Sequence, residues 1–221
     1  MIGITGCTGF IGGRLGTALS NAGLPWVGLA RRAVPFAVRP LAGFGDLAAL
    51  TAACAGLETL FHCAGYAHAL SSLNADDSEK HREFNFVATR NMVEAAALAG
   101  VKRFVFLSSV KAMAEPGSSC ADEDFPGLPE TAYGQAKRAA ESAVLDVGKR
   151  CGMHVVNLRL AMVYGSGGRG NLERMGRLVQ RGLFPPLPET NNHRSLVHVD
   201  DVVAALLLVA AADRASGRTY I

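Results

Sequence analysis

The sequence predicts an open α/β fold, a doubly wound and mostly parallel sheet with helices on both faces. Three observations carry this. Short apolar stretches with strand character alternate with helical patterns from the second residue onward. The helical patterns between them are long enough to serve as parallel crossovers. A glycine-spaced turn, Gly6-x-x-Gly9-x-x-Gly12, falls between the first strand and the first helix.

The elements follow in order. Residues 2–5 read as a short buried strand, and residues 10–22 as a helix stopped by Gly23. Residues 26–30 form the next strand. Residues 46–55 are helical and follow a region where a further strand is expected; residues 59–63 are a strand closed by Ala64-Gly65. A long helix spans 78–99 with Gly100 as its stop, then a strand at 103–107, a second long helix at 131–150 and a strand at 155–160. Past Tyr164 the pattern loosens into a glycine-rich loop (165–170), a helix (171–181), a proline-rich connection (184–188) and a short strand (195–199). A helix over 200–212, capped by its aspartates, and the start of a strand at 219–221 end the chain. We therefore expect residues 1–164 to form a nucleotide-binding domain. Residues 165–221 form a partial substrate-binding region interleaved with the last elements of the sheet.

Bulk properties exclude several classes. The 221 residues suffice for one core, and a formal charge of +3 with both signs interspersed gives no nucleic-acid footprint. The five cysteines include no C-x-x-C pair, which argues for reduced thiols rather than a disulfide framework or a metal site. The start of the chain lacks a basic-then-apolar leader. The apolar run 202–212 is too short to span a bilayer and follows Asp200-Asp201. A cytoplasmic protein, not a membrane protein, is expected.

The glycine turn carries the first functional signal. Thr5-Gly6-Cys7-Thr8-Gly9-Phe10-Ile11-Gly12 lets backbone approach a pyrophosphate, and the helix that follows offers it free N–H groups and the positive end of its dipole. A Rossmann-type nucleotide site follows from this position between strand and helix. The next strand ends at Arg31-Arg32, where an NAD site usually places an acid for the ribose hydroxyls; guanidinium groups there suit the 2′-phosphate of NADP. NAD and NADP both stay open, with a lean to NADP. The Asp46 carboxylate, followed by Leu47, is placed to accept from an adenine amino group.

The second signal is chemical. Tyr133 and Lys137 stand at i, i+4 on a helical face, where an ammonium group stabilises phenolate and suits the tyrosine to acid–base work. Ser108-Ser109 closes a strand at the sheet edge where such folds bind ligands.

With these residues in view, the chain resembles the extended short-chain dehydrogenase/reductase superfamily, in its NAD-dependent epimerase/dehydratase branch. The resemblance implies that Gly6, Thr8, Gly9, Phe10, Ile11, Gly12, Asp46, Leu47, Cys63, Ala64 and Gly65 line the cofactor. It implies that Asn85 supports the active site, and that Ser109, Tyr133 and Lys137 are catalytic. The stretch from Leu158 to Gly165 resembles the "LRPxxVYG" segment of nucleotide-sugar enzymes. Gly170-Asn171-Leu172 and Arg194 resemble a clamp for the substrate diphosphate, with Tyr66 and His68 near the sugar and Met162 where several epimerases carry asparagine.

The implied mechanism has Tyr133 remove a proton from a sugar hydroxyl while hydride leaves C4, with Lys137 lowering the tyrosine pKa and Ser109 holding the reacting oxygen. An NAD(P)-dependent nucleotide-sugar 4-epimerase is the leading reading. An NADP-dependent 4-keto-sugar reductase, a reductase of non-sugar carbonyls and a non-catalytic NADP-sensing regulator remain alternatives. Val110-Lys111 after Ser109 argue against a dehydratase, which carries an Asp-Glu pair there. Family members continue well beyond this length, so the C-terminal substrate lobe is expected to be small and incomplete, leaving apolar surface exposed. Homodimers through the two long helices are a further expectation. His81, His154 and His193 have no partners at metal spacing and are read as surface or core histidines.

Overall fold

The computed structural model describes residues 1–32, 34–66, 75–117, 119–168, 171–185 and 194–221. The chain opens with β1 (Ile2–Thr5), α1 (Phe10–Asn21), β2 (Trp26–Ala30), β3 (Val38–Pro40), α2 (Leu47–Cys54) and β4 (Thr59–His62). It continues through α3 (Ala75–His81), α4 (Ala88–Leu98), β5 (Arg103–Ser109), α5 (Ala132–Cys151) and β6 (His154–Leu160). The last elements are β7 (Met162–Tyr164), α6 (Asn171–Gln180), β8 (Leu196–His198), α7 (Val199–Ala211) and β9 (Arg218–Tyr220). Seven strands form one sheet in the order β3-β2-β1-β4-β5-β6-β9, parallel at every pairing. A separate parallel pair, β7–β8, stands beside it.

The expected doubly wound architecture is present, and strand periodicity explains it. Alternate side chains of each strand enter opposite layers. Leu60, Phe104, Phe106 and Val155 pack under α2, α4 and α5. Ile4, Phe61, Val105, Leu107, Val156 and Leu158 pack under α1 and α7. Caps mark the helix ends. Thr131 accepts the Gly134 amide at 3.1 Å to start α5, and Gly152, at φ 68°, ends it in the left-handed conformation.

Two expectations are corrected. The long helix at 78–99 is broken by a π-helical turn at Arg82–Val87 between α3 and α4. This wider turn carries the buried Asn85, and such insertions recur at functional sites. The helix expected to be capped by Asp200 and Asp201 starts one residue earlier. His198 caps it, its Nδ1 accepting the Asp200 amide at 3.3 Å, and Asp200 pairs instead with Arg14 of α1 at 2.5 Å. Strands β3 and β7 have only three residues each, too few for a periodic signal. Pro40 is tolerated because β3 is an edge strand. Among the described residues, no helix is long and apolar enough to cross a membrane.

Candidate active site

The strand order reverses between β1 and β4, and parallel strands bring their carboxyl ends to one edge, so a crevice opens there. The glycine turn follows β1, residues 63–66 follow β4, and Ser109 ends β5. Gly6 is left-handed at φ 66°, and a Cβ on it would lie 2.7 Å from the Ala64 nitrogen. A Cβ on Gly12 would lie 2.8 Å from the Gly6 carbonyl carbon. The turn therefore closes only with hydrogen at both positions. Thr8 and Gly9 are exposed at its tip, with Phe10 and Ile11 half-buried behind.

The start of α1 has no side-chain cap and no acidic residue in its first turn. Its leading amides are thus left for an anion, and the cradle fits a dinucleotide pyrophosphate. At the end of β2, Arg31 and Arg32 are exposed and form no hydrogen bond or ion pair among the described residues. Arg39 on β3 is committed elsewhere, donating to the Ala53 and Ala55 carbonyls at 2.8 and 2.6 Å. Asp46 is partly committed too. Its Oδ1 accepts the Ala49 amide at 3.0 Å as the cap of α2, so an adenine contact would fall to its other oxygen. Leu47 is exposed beside it.

Ser109, Tyr133 and Lys137 meet at the end of β5. The Tyr133 hydroxyl lies close enough to the Ser109 side chain for Ser109 to lower its pKa. Gly134 permits this approach: a Cβ there would overlap the Lys111 carbonyl and lie 2.9 Å from Pro129 Cβ. Burial raises the Tyr133 pKa and the Ser109 side chain opposes it. Lys137 is buried, with Nζ donating to the Leu107 carbonyl at 2.8 Å and lying 4.5 Å from the Phe106 ring centroid. Desolvation holds its pKa down to about 8, with Glu141 opposing. Nζ would be 3.4 Å from a Cβ on Gly65, so that glycine keeps the space above the ammonium open.

A polar relay ties the strands together. Thr89 donates to the Asn85 carbonyl at 2.7 Å, so its hydroxyl accepts from His62 Nε2 at 3.1 Å. His62 Nδ1 then accepts from Thr5 Oγ1 at 2.7 Å, and Thr5 in turn accepts the Ala64 amide at 3.2 Å. The imidazole is neutral in this arrangement. Burial, reinforced by Lys137, lowers its pKa to about 3. The Asn85 side chain grips Tyr66 from both sides, accepting its amide and donating to its carbonyl, each at 2.9 Å.

Sequence reading missed two features. Glu141, one helical turn beyond Lys137, accepts from Ser108 at 2.5 Å and from Arg159 at 2.9 Å, with both charged residues buried. Arg159 also donates to the Glu123 carbonyl at 3.1 Å, bracing the segment before α5. The i, i+4, i+8 stripe Tyr133-Lys137-Glu141 was the available signal. The second is the place of His81, which the sequence leaves as a surface or core histidine: it is buried, with its ring 5.2 Å from Tyr66 and 5.4 Å from Tyr133.

The residues expected at the substrate are less gathered. Tyr66 stands over the crevice beside His81 and Phe84. Asn171 and Leu172 open α6, Arg194 is exposed two residues before β8, and Met162 is exposed on β7. His68, Gly170 and His193 lie outside the described residues. Among the described residues no cluster of metal-ligating side chains occurs.

Comparison with known proteins adds to this geometry. The family described as "NAD dependent epimerase/dehydratase family" matches residues 2–221. A UDP-glucose 4-epimerase of Vibrio cholerae is 33% identical over 99% of this chain and 69% of its own length. A dTDP-6-deoxy-L-talose 4-dehydrogenase (NAD(P)(+)) of Kitasatospora kifunensis is 32% identical over 97% of this chain and 71% of its own. Among solved structures, MoeE5 in complex with UDP-glucose and NAD superposes with a TM-score of 0.82 at 31% identity, over 99% of this chain and 74% of that one.

Proposed function

The chain belongs to the NAD dependent epimerase/dehydratase family, a family of nicotinamide-dependent enzymes, and from that premise we propose that it is a nucleotide-sugar 4-epimerase. The observation that carries the reading is the convergence of the uncapped glycine cradle, the neighbouring Ser109 and Tyr133 side chains and buried Lys137 on one crevice. The likeness to a UDP-glucose 4-epimerase and to a structure holding UDP-glucose and NAD supports the substrate class.

Each residue has a task in this scheme. Gly6, Gly9 and Gly12 hold the pyrophosphate, and the cofactor supplies hydride acceptance and return at its nicotinamide. Tyr133 Oη takes the proton of the sugar C4 hydroxyl, and Ser109 Oγ steadies the same oxygen. Burial disfavours Tyr133 phenolate, so proton removal requires the ammonium of Lys137 to swing from the Leu107 carbonyl toward the phenol and the ribose once the crevice fills. Arg194 and the start of α6 are assigned to the diphosphate end of the substrate in this scheme. After the keto sugar turns over, Tyr133 gives its proton back to the C4 oxygen as C4 is reduced again from the other face, which yields the epimer.

One observation favours a second reading. Arg31 and Arg32 form no hydrogen bond or ion pair among the described residues, at the strand end where a 2′-phosphate would sit, and a cofactor that must exchange at each turnover suits a 4-keto-sugar reductase using NADPH. Product analysis separates the two. Conversion of UDP-glucose to UDP-galactose with no net change at 340 nm supports the epimerase. Stoichiometric NADPH oxidation with a UDP-4-keto-sugar, and no interconversion, replaces it with the reductase.

A further inference from the structure

The π-helical turn after α3 presents a side chain that the scheme above leaves unused. Asn85 has no freedom to exchange its amide oxygen and nitrogen, because the Tyr66 amide donates to Oδ1 and the Tyr66 carbonyl accepts from Nδ2, both at 2.9 Å. The same Nδ2 reaches His81 Nδ1 at 3.2 Å. His81 Nδ1 is therefore the acceptor, and the proton of the neutral ring sits on Nε2. That N–H has no hydrogen-bond partner among the described residues. The ring itself is 5% exposed and wedged between Tyr66 and Tyr133. A buried imidazole of fixed tautomer, with its donor left over beside the phenol, is an arrangement that a bound oxygen completes.

We propose that His81 is a substrate-contacting specificity residue, donating from Nε2–H to a hydroxyl oxygen of the sugar whose C4 oxygen meets Tyr133. The inference rests on the nucleotide-sugar reading and deepens it. Asn85 acts through His81 and Tyr66 as a positioning residue: its one amide sets the tautomer of the donor and holds the backbone of the aromatic wall opposite. The π-helical insertion is what allows one side chain to reach both.

The test compares UDP with UDP-glucose on the full chain in the presence of saturating NAD. His81→Phe keeps the aromatic packing and removes the donor; His81→Gln restores a donor on a different scaffold. For His81→Phe, UDP binding by calorimetry and NADH binding by fluorescence stay within twofold of wild type, while affinity for UDP-glucose and its conversion fall by about tenfold, the loss of one buried hydrogen bond. His81→Gln recovers part of the loss. Equal weakening of UDP and UDP-glucose, or unchanged handling of UDP-glucose by His81→Phe, overturns the proposal. If His81→Phe does not fold, His81→Gln carries the comparison alone: a selective change in UDP-glucose with UDP unmoved supports the contact, and no selective change refutes it. Failure of the wild type to bind UDP and UDP-glucose strikes instead at the nucleotide-sugar reading.

Discussion

Replacing Lys137 with methionine should make the protein more stable at neutral pH while removing its activity. Desolvation depresses the lysine pKa from 10.5 to about 8. Holding the ammonium in place then costs roughly 3 kcal/mol at pH 7 relative to the unfolded chain. Methionine has no charge to desolvate, and it keeps an unbranched side chain over Phe106. It gives up the hydrogen bond to the Leu107 carbonyl, worth about 1 kcal/mol. Glu141 is not stranded, because Arg159 remains bonded to it. The variant should therefore gain about 1–2 kcal/mol at pH 7. The sign with pH follows from proton counting. Between about pH 8 and 10.5 the unfolded lysine keeps a proton that the folded one has lost, so the wild type recovers stability as pH rises through that window. Below pH 8 the cost is complete. Cys63, raised to about 12 by burial with Lys137 opposing, keeps its proton through pH 9.5 in the folded protein with or without the lysine. Cys7, Cys54 and Tyr133, all raised by burial, push the other way at alkaline pH but are common to both proteins. They cancel in the difference. Urea unfolding at pH 7 and 9.5 should show the gap shrinking by about 2 kcal/mol. A gap independent of pH, or a variant less stable than wild type at pH 7, refutes the reasoning.

Helix propensity alone would have Gly134→Ala stabilise α5 by about 1 kcal/mol. The overlap with the Lys111 carbonyl instead forces the strand-end turn away, and we expect a net loss of about 1–2 kcal/mol in urea titration. A roughly hundredfold drop in kcat should accompany it as Ser109 and Tyr133 separate; a stabilised, active variant would contradict the packing. Burial keeps His62 neutral down to about pH 3, so the unfolded chain binds the extra proton first and stability falls as pH drops below about 6.5. His62→Gln should flatten that acid limb when unfolding is followed from pH 7 to 4, and an unchanged slope would reassign it. Replacing Arg31 and Arg32 together by alanine should weaken NADPH binding by at least tenfold in a fluorescence titration and leave NADH within twofold. Equal effects on both cofactors would remove the argument for NADP.

Local pattern carried much of the architecture into view. The strands at Ile2–Thr5 and Trp26–Ala30, the glycine turn and the cap-to-glycine span of α5 are signalled by neighbours within a few residues. What the sequence hid depends on long-range contacts. The π-helical turn carries Asn85, which bonds a backbone 19 residues away, and nothing in the periodicity of 78–99 announces it. The partnership of Glu141 with Arg159 spans α5 and β6. Asp200 looked like a cap, yet it is taken by Arg14 at 186 residues' separation, which leaves capping to His198. The Tyr133–Lys137 spacing placed both on one helical face, but the direction of the ammonium was decided by the Leu107 carbonyl on the neighbouring strand.

The most direct measurement is hydride transfer from labelled substrate. The protein is incubated with oxidised cofactor and UDP-galactose deuterated at C4, and the cofactor and sugar are analysed by mass spectrometry and NMR. The account predicts transient deuterated NADH or NADPH and UDP-glucose retaining deuterium at C4, with both signals lost in Tyr133→Phe. Epimer formed with solvent hydrogen at C4, or no transfer of label to a cofactor that does bind, would contradict it.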